Sequence, residues 1–161
     1  MALDRQKRLE AYLDRASEMG LAVHEEKLQC HDGLLIGRDI IIREDLPTLA
    51  KKADVMAEEI AHAELTVGNI LDQTDSNNRR QEHKARFRAA QMRVPLDRII
   101  DAYIYGCRNS YEAAEYLDVS EDTFLEALEL YRQAFGPVAR IRDYVVRFEP
   151  TLAVYRVIMF G

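Results

Sequence analysis

The sequence predicts an α+β fold, in which a small antiparallel sheet packs on a pair of helices and is followed by a helical module and a C-terminal β hairpin. Three observations lead to this class. Two polar stretches have the spacing of amphipathic helices, three more helix patterns follow Pro95, and two regions rich in Val and Ile have the pattern of strands. The 161 residues suit one domain, and an apolar fraction of 48% suffices for a core. We therefore expect a single domain, residues 1–161, made of a core (1–95), a helical module (96–136) and a β tail (137–161).

The N-terminal segment predicts one helix followed by β-structure. Apolar residues recur at helical spacing from Leu3 to Met19, and Gly20 is typical of the position after a helix. The segment from Leu21 to Arg43 carries short apolar runs, with Asp32-Gly33 as a turn signal. We expect two or three antiparallel strands here. An edge strand of such a sheet can bind an extended peptide by strand addition.

The next helix pattern begins at Leu46-Pro47, with Asp45 as the expected cap. Residues i and i+4 lie on one face of a helix, so Glu58 and His62 can point at one position, while Glu59 lies about 100° further round. Two helical side chains at this spacing can hold a metal ion while an intervening Glu serves as general base. The alternative is an ordinary polar face opposite an apolar stripe.

A further helix pattern, from Ser76 to Met92, carries Glu82 three residues before Ala85, in line with a small apolar face. Asp75 or Ser76 is the expected N-cap. Burial of a carboxylate costs free energy unless a hydrogen-bond partner, an opposite charge or a metal ion compensates for it. We therefore expect the Glu82 carboxylate to point inward, towards a metal ion or towards an arginine of the same helix.

These residues resemble the ImmA/IrrE-like metallopeptidases, a family often carried by phages and other mobile elements. The segment from Ala57 to His62 is similar to the zinc-helix motif of that family. The segment from Thr66 to Asp72 is similar to the loop that follows the motif in a phage-borne branch, and the segment from Glu82 to Pro95 is similar to the second ligand helix. The resemblance implies a zinc site on a zincin-like pair of helices.

By this resemblance the zinc ligands are Glu58, His62 and Glu82, and Glu59 is the catalytic base. The family usually has His at the first ligand position, so the motif here is EExxH and not HExxH. Two carboxylates and one imidazole cancel the charge of Zn²⁺, and a less positive metal acidifies its water less. We therefore expect a slow or highly selective hydrolase, or one that has lost activity.

The implied function is that of a zinc-dependent endopeptidase in which a metal-activated water, deprotonated by Glu59, hydrolyses a peptide bond. The implied substrate is a helix-turn-helix repressor of a phage or mobile element. Tyr103 or Tyr105 is a candidate oxyanion donor. The alternative is a weak or inactive protein that keeps the peptidase fold and acts as a protein–protein interaction module.

Three helix patterns follow, at Leu96 to Tyr105, Ser110 to Leu117 and Glu121 to Phe135, with caps expected at Asn109 or Ser110 and at Ser120. The last two have the residue spacing of a helix-turn-helix, which suggests DNA binding. Between residues 109 and 135, however, one basic residue, Arg132, is outnumbered by seven acidic ones: Glu112, Glu115, Asp118, Glu121, Asp122, Glu126 and Glu129. A recognition helix needs positive charge near phosphate. We therefore interpret these helices as a packing module and expect no direct contact with nucleic acid.

The tail predicts a hairpin, because Tyr144 to Val146 and Val154 to Phe160 are apolar runs separated by Glu149-Pro150. Four arginines make the tail locally basic: Arg140, Arg142, Arg147 and Arg156. They form either a solvated face or a docking surface for an acidic partner.

Cysteine content and hydropathy indicate the compartment. Cys30 and Cys107 fit no metal-knuckle spacing and predict reduced, partly buried thiols in a cytoplasmic protein, with a disulfide as the alternative. The sequence has no apolar run long enough to span a membrane. The net charge of −6 argues against a general nucleic-acid binder.

Overall fold

A computed structural model describes residues 2–66 and 75–158, without the side chains of residues 2–4 and 75–77. Within these residues the chain is a mixed α+β structure with six helices and two three-stranded sheets, as the class predicted from the sequence requires. The predicted loop of residues 67–74, most of the motif at Thr66 to Asp72 and the end of the tail lie outside the described residues. The chain forms two units, Met1–Ala89 and Ala90–Gly161, and the predicted division after residue 95 stays a prediction.

The first unit contains five elements and most of a sixth. They are α1 (Ala2–Glu18), β1 (Ala22–Glu26), β2 (Gly33–Ile36), β3 (Asp39–Arg43), α2 (Leu49–Thr66) and α3 (Asp75–Arg93), whose last turn lies in the second unit. The first helix agrees with the predicted segment to within one residue at each end. It is followed by Gly20 in a left-handed conformation, with φ of 71°, as the cap signal predicted.

The first sheet has the strand order β1-β3-β2. Strand β2 pairs antiparallel with β3, as predicted, but β1 runs parallel to β3, with Val23 opposite Ile40, so the sheet is mixed and the antiparallel prediction is wrong for β1. The burial of β3 gives the physical reason, since Ile40 and Ile42 are both fully buried while β1 is a polar strand with one half-buried residue. The apolar strand takes the centre of the sheet and the polar one its edge.

One face of this sheet packs on α2, which in turn packs on α1. Leu9, Tyr12 and Ala16 form the buried stripe of α1. The guanidinium of Arg15 adds an ion pair with Glu64 of α2, at 3.1 Å. Full burial of a large apolar side chain contributes about 1.5–3 kcal/mol, so this packing holds α1 against α2 far more strongly than the ion pair at its edge does.

Helix α2 begins at Leu49, and not at Leu46-Pro47 as the sequence predicted. The hydroxyl of Thr48 accepts a hydrogen bond from the amide of Lys51 at 3.1 Å and so caps the first turn. Asp45, the expected cap, instead pairs at 3.0 Å with the arginine that ends β3. The prediction was wrong because this carboxylate found a charged partner outside the helix.

The second unit contains three helices and three strands after the end of α3. They are α4 (Leu96–Tyr105), α5 (Ser110–Leu117), α6 (Glu121–Phe135), β4 (Val138–Ile141), β5 (Tyr144–Arg147) and β6 (Ala153–Arg156). All three helices have the predicted bounds. Asn109 caps α5 by accepting from the amide of Glu112 at 2.9 Å, and Ser120 caps α6 by accepting from the amide of Thr123 at 3.1 Å. The left-handed Gly106, with φ of 112°, ends α4.

The C-terminal sheet is antiparallel, with the order β4-β5-β6. The predicted hairpin is confirmed as the antiparallel pair of β5 and β6, although β6 ends at Arg156 and β4 adds a third strand that was not predicted. Strand β4 was missed because its four residues have Val and Ile only at the two ends, with Ala and Arg between them, a pattern too short to indicate a strand.

The core of the second unit centres on Tyr131 of α6, which is 1% exposed. Its hydroxyl donates a hydrogen bond to the carbonyl of Val94 at 2.8 Å, and its ring centroid lies 6.1 Å from that of Phe148. Burial raises the pKa of this phenol above its usual range. Phe124 of the same helix is also fully buried, whereas Phe135 at the end of α6 is exposed.

The remaining features concern the hydropathy of the helices and the two cysteines. Among the described helices, none combines the length and the apolar content of a membrane-spanning segment. Both cysteines are free; Cys107 is half-buried as expected, but Cys30 is exposed.

Candidate metal centre

Helix α2 gives the residues of the EExxH motif different degrees of burial. Its buried face consists largely of small and medium apolar residues between Ala53 and Ala63, and it packs on the sheet. Glu58 and His62 lie at the margin of this face, where both are half-buried. Glu59 points further inward and is 9% exposed. The hydroxyl of Thr66 donates to the carbonyl of His62 at 2.8 Å and holds the last turn of the helix in place.

Helix α3 contributes the third residue. Its small apolar face consists of Ala85 and Ala89, which are 0% and 3% exposed, and both cluster with the buried Ala61 of α2 and with Leu65. Glu82 lies one turn before Ala85, so the contact that buries the alanines also carries Glu82 towards α2. The rest of α3 is strongly charged, and this narrow stripe is what orients the helix.

The three predicted ligands converge. One ligand atom each from Glu58, His62 and Glu82 can be chosen so that all three lie within 4.8 Å of one another. Within this group, Nε2 of His62 lies 3.6 Å from Oε2 of Glu82. Ligand atoms about 2.1 Å from a tetrahedral ion are about 3.4 Å apart. The imidazole and the Glu82 carboxylate are thus already close to that spacing, and the Glu58 carboxylate lies within 4.8 Å of both.

Glu82 differs from its predicted environment. An inward-pointing, buried carboxylate was expected, but the side chain is 54% exposed. The expected burial is wrong because the stripe of α3 is only one alanine wide at each turn, which leaves the adjacent position at the rim. The carboxylate faces His62 from solvent, so it can rotate to meet an ion without disturbing the core.

Glu59 has an unusual environment. Burial, followed by the nearby carboxylates of Glu58 and Glu82, raises the pKa of Glu59 to about 7. A carboxyl group with such a pKa can accept and return a proton near neutral pH, which is the property that a general base needs. The same two carboxylates are the expected metal ligands. Negative charge is therefore concentrated where a cation would be bound.

A contact that the sequence analysis missed lies behind Glu59. Gly33, the first residue of β2, approaches α2 so closely that a Cβ added there would lie 2.9 Å from Oε1 of Glu59 and 2.5 Å from a γ-carbon of Val55. The glycine was interpreted only as a turn residue. Its position at the start of a strand was a usable signal, because glycine in a strand often marks close approach of another group.

Glu64, one turn beyond Ile60, ties the surrounding helices together. It accepts hydrogen bonds from Arg88 of α3 at 2.8 Å and from Arg15 of α1 at 3.1 Å. Burial by itself would raise the pKa of Glu64, but the hydrogen bonds from the two arginines outweigh it and lower the pKa. This bridge links α1, α2 and α3.

The arrangement has the chemistry of a divalent cation site. Two carboxylates and an imidazole are acceptable ligands for several divalent ions, and three protein ligands leave a position open for water or substrate. The buried Glu59 is adjacent to Glu58 on the same helix. The catalytic role of Glu59 and the alternative of a plain polar face stay predictions. The suggested oxyanion donors, Tyr103 and Tyr105, belong to the second unit, and that role stays a prediction.

The sequence was also compared with known proteins. No protein-family model matches the chain, and no curated protein sequence matches it.

Proposed function

We propose that the protein is a zinc-dependent endopeptidase of the ImmA/IrrE-like type, which cleaves a helix-turn-helix repressor of a phage or mobile element in the cytoplasm. The observation that carries the proposal is the convergence of Glu58, His62 and Glu82 within 4.8 Å, beside the buried Glu59. In such an enzyme the two helices would form a zincin-like pair. The motif itself, EExxH, supplies the first two ligands and the base from a single helix turn.

Zinc is the ion that this ligand set favours among common cellular metals. An imidazole ligand suits zinc better than calcium or magnesium, which prefer oxygen ligands throughout. Zinc also accepts the four-coordinate geometry that three protein ligands and one open position provide. Bound there, it would polarise the scissile carbonyl and make a water molecule more acidic.

Glu59 would act on the attacking water. Its carboxylate would accept the proton of that water and later deliver it to the leaving amine. The raised pKa favours this second step, because a carboxyl group with a pKa of about 7 still carries a proton in a useful fraction of molecules near neutrality. Gly33 leaves room for the Glu59 carboxylate beside the start of β2, where a Cβ would lie 2.9 Å from its Oε1.

Strand β2 would align the substrate. It lies at one edge of the first sheet, and Gly33 at its start contacts Glu59. An extended peptide added along this edge would gain main-chain hydrogen bonds and would pass beside the base. A repressor segment that unfolds locally would therefore be a better substrate than a rigid helix.

Replacement of the usual first histidine by Glu58 predicts a slow enzyme. The two ligand carboxylates neutralise a divalent ion, so the ion polarises substrate and water less than it would with two imidazoles. A low turnover on a single cellular target suits a switch that needs to act only once per repressor molecule.

The test is a cleavage assay with purified protein and the repressor encoded beside its gene. Zinc-loaded protein is expected to cut the repressor at one position, and a chelator is expected to stop the reaction. Glu59→Gln is expected to keep bound zinc and lose at least about a hundredfold in rate, the size of a general-base contribution. Glu26→Gln, an exposed carboxylate on β1, is the matched control and keeps the full rate.

Two results would count against the proposal. Equal cleavage by the wild type and by Glu59→Gln would remove Glu59 from the mechanism. Tight binding of the repressor without zinc and without cleavage would favour the interaction module over the enzyme.

A further inference from the structure

The second unit contains a large groove of about 690 Å³ between its helices and its sheet. One wall consists of α4 and the start of α5, including Ile99, Ala102 and Ala113, and the other wall is the segment from Thr151 to Tyr155. This volume is in the range of natural ligand sites. The groove belongs to the second unit alone, whereas the candidate metal centre lies in the first.

The lining shows that the groove runs along the edge of the sheet. Five consecutive residues, Thr151 to Tyr155, contact it. Thr151 and Leu152 precede β6, whereas Ala153, Val154 and Tyr155 belong to it. Side chains of a strand alternate between the two faces of its sheet, so a surface that meets three successive residues of β6 includes the backbone edge. Strand β6 is at the end of the order β4-β5-β6 in the described part of the chain. Its outer edge therefore presents main-chain donors and acceptors to the groove.

The side chains of the groove define what would fit beside that edge. The floor is apolar, while the rings of Tyr103 and Tyr155 stand at its rim, each 48% exposed. Within the described lining, Arg108 is the one charged residue. The guanidinium of Arg147 lies 5.6 Å from the centre of the Tyr155 ring and adds positive charge on the same side.

We propose that this groove binds an extended peptide segment of a partner protein, which adds to β6 as a fourth strand. Alternate side chains of the segment are apolar and enter the floor between α4 and β6. An acidic side chain of the segment meets Arg108. Charge complementarity favours this occupant, since Arg108 is the one charged residue among the described lining residues of the groove.

The dimensions of the groove limit the segment. Strand β6 has four residues, and at about 3.3 Å per residue they offer an edge of about 13 Å. A segment of four to five residues therefore fills the groove, a length typical of short linear motifs that bind by strand addition. A folded helix of the same length would leave the main-chain groups of β6 unpaired.

The experiment uses the full chain and a displayed library of random peptides of about ten residues, the scale of linear motifs. Peptides selected on the wild type are synthesised with a fluorescent label and titrated by anisotropy. We expect alternating apolar residues and at least one Asp or Glu. Proline at a central position of a selected peptide is expected to abolish binding, because it removes a main-chain donor and the extended pairing. Amide shifts in an NMR titration are expected to be largest at residues 151–155.

Charge variants test the recognition. Arg108→Glu is expected to weaken binding by at least about fivefold, and replacement of the peptide's acidic residue by lysine is expected to restore binding to that variant. Arg140→Glu carries the same charge change on β4, at the opposite edge of the sheet, and is expected to bind as the wild type does. Tyr103→Ala provides a second variant in the groove, and circular dichroism confirms that each variant is folded.

Several results would overturn the proposal. These are an empty selection, peptides that tolerate central proline, equal binding to Arg108→Glu and the wild type, or shifts that avoid residues 151–155. A dimer in which β6 of one copy covers β6 of another and excludes all peptides would also overturn it, in favour of self-association.

Discussion

The carboxylate of Glu59 lies directly against Gly33. A Cβ built on Gly33 would come within 2.9 Å of Oε1 of Glu59, which is closer than a carbon and an oxygen approach without strain. The strand and the helix can meet at this distance because residue 33 has no side chain. The position of the candidate base is therefore set by a residue in another element, far away in the sequence.

Replacement of Gly33 by alanine is expected to damage both stability and activity. The added methyl group would also meet a γ-carbon of Val55 at 2.5 Å, so the helix or the strand must move. Overpacking of this kind typically costs about 1–3 kcal/mol in the free energy of unfolding. Urea unfolding measures the loss, and the cleavage rate of the folded variant is expected to fall because the Glu59 carboxylate is displaced.

Gly37→Ala is the matched control for that variant. Gly37 has a φ of 62° and no atom within 4 Å of an added Cβ, so its substitution strains the backbone and displaces no neighbour. It is expected to cost about 1–2 kcal/mol and to leave the cleavage rate unchanged. A Gly33→Ala variant that cuts the repressor at the full rate would show that β2 does not position the base.

The pH dependence of stability follows from Glu59 in the metal-free protein. Its pKa is raised from 4.5 in the unfolded chain to about 7 in the folded one. Between these values the folded state binds more protons than the unfolded state, so the free energy of unfolding decreases as pH rises. The contribution of this group favours the folded state below pH 4.5 relative to neutral pH, and it has disappeared above about pH 7.

Urea titrations at pH 5, 6, 7 and 8 in the presence of a chelator measure this effect. Glu59→Gln cannot ionise at this position, so its stability is expected to change less over the same range and to exceed that of the wild type at pH 8. Parallel curves for the two proteins would show that the carboxyl group of Glu59 is ionised throughout and is not perturbed by its surroundings.

The elements that depend on nearby residues were predictable from the sequence. The bounds of α4, α5 and α6 follow from Gly106, Asn109 and Ser120, each of which acts within one turn of the helix that it ends or begins. Glu58 and His62 were predictable for the same reason, because the helix alone sets the direction of residues four apart.

The features that depend on distant residues were not predictable in this way. The parallel pairing of β1 with β3 depends on which of the three strands takes the central position of the sheet. The sequence of one strand alone does not determine that position. The exposure of Glu82 depends on the rotation of α3 about its own axis, which is set by its contact with Ala61. The contact of Gly33 with Glu59 requires the sheet and the helix to be in place together.

Zinc is expected to stabilise the protein through the three predicted ligands. A ligand that binds only the folded state adds about 2.7 kcal/mol at a free concentration of a hundred times its Kd. His62→Ala is expected to remove this gain and to leave no zinc in elemental analysis after dialysis. His83→Ala, which changes the exposed neighbour of Glu82, is the control and is expected to keep both. Zinc retained by His62→Ala would place the metal elsewhere.

The alanine contact between α2 and α3 is expected to control zinc affinity. Ala85 is fully buried against Ala61, so Ala85→Leu would push α3 outward and carry the Glu82 carboxylate away from His62. The variant is expected to lose about 1–3 kcal/mol of stability and to bind zinc at least about tenfold more weakly, which corresponds to about 1.4 kcal/mol.

Ala127→Leu overpacks α6 at a site that is 1% exposed in the second unit, and it is expected to destabilise the fold to a similar degree. Isothermal titration with zinc separates the two variants, because only Ala85→Leu is expected to lower the affinity. Equal zinc affinity in both would mean that the position of Glu82 does not depend on this packing.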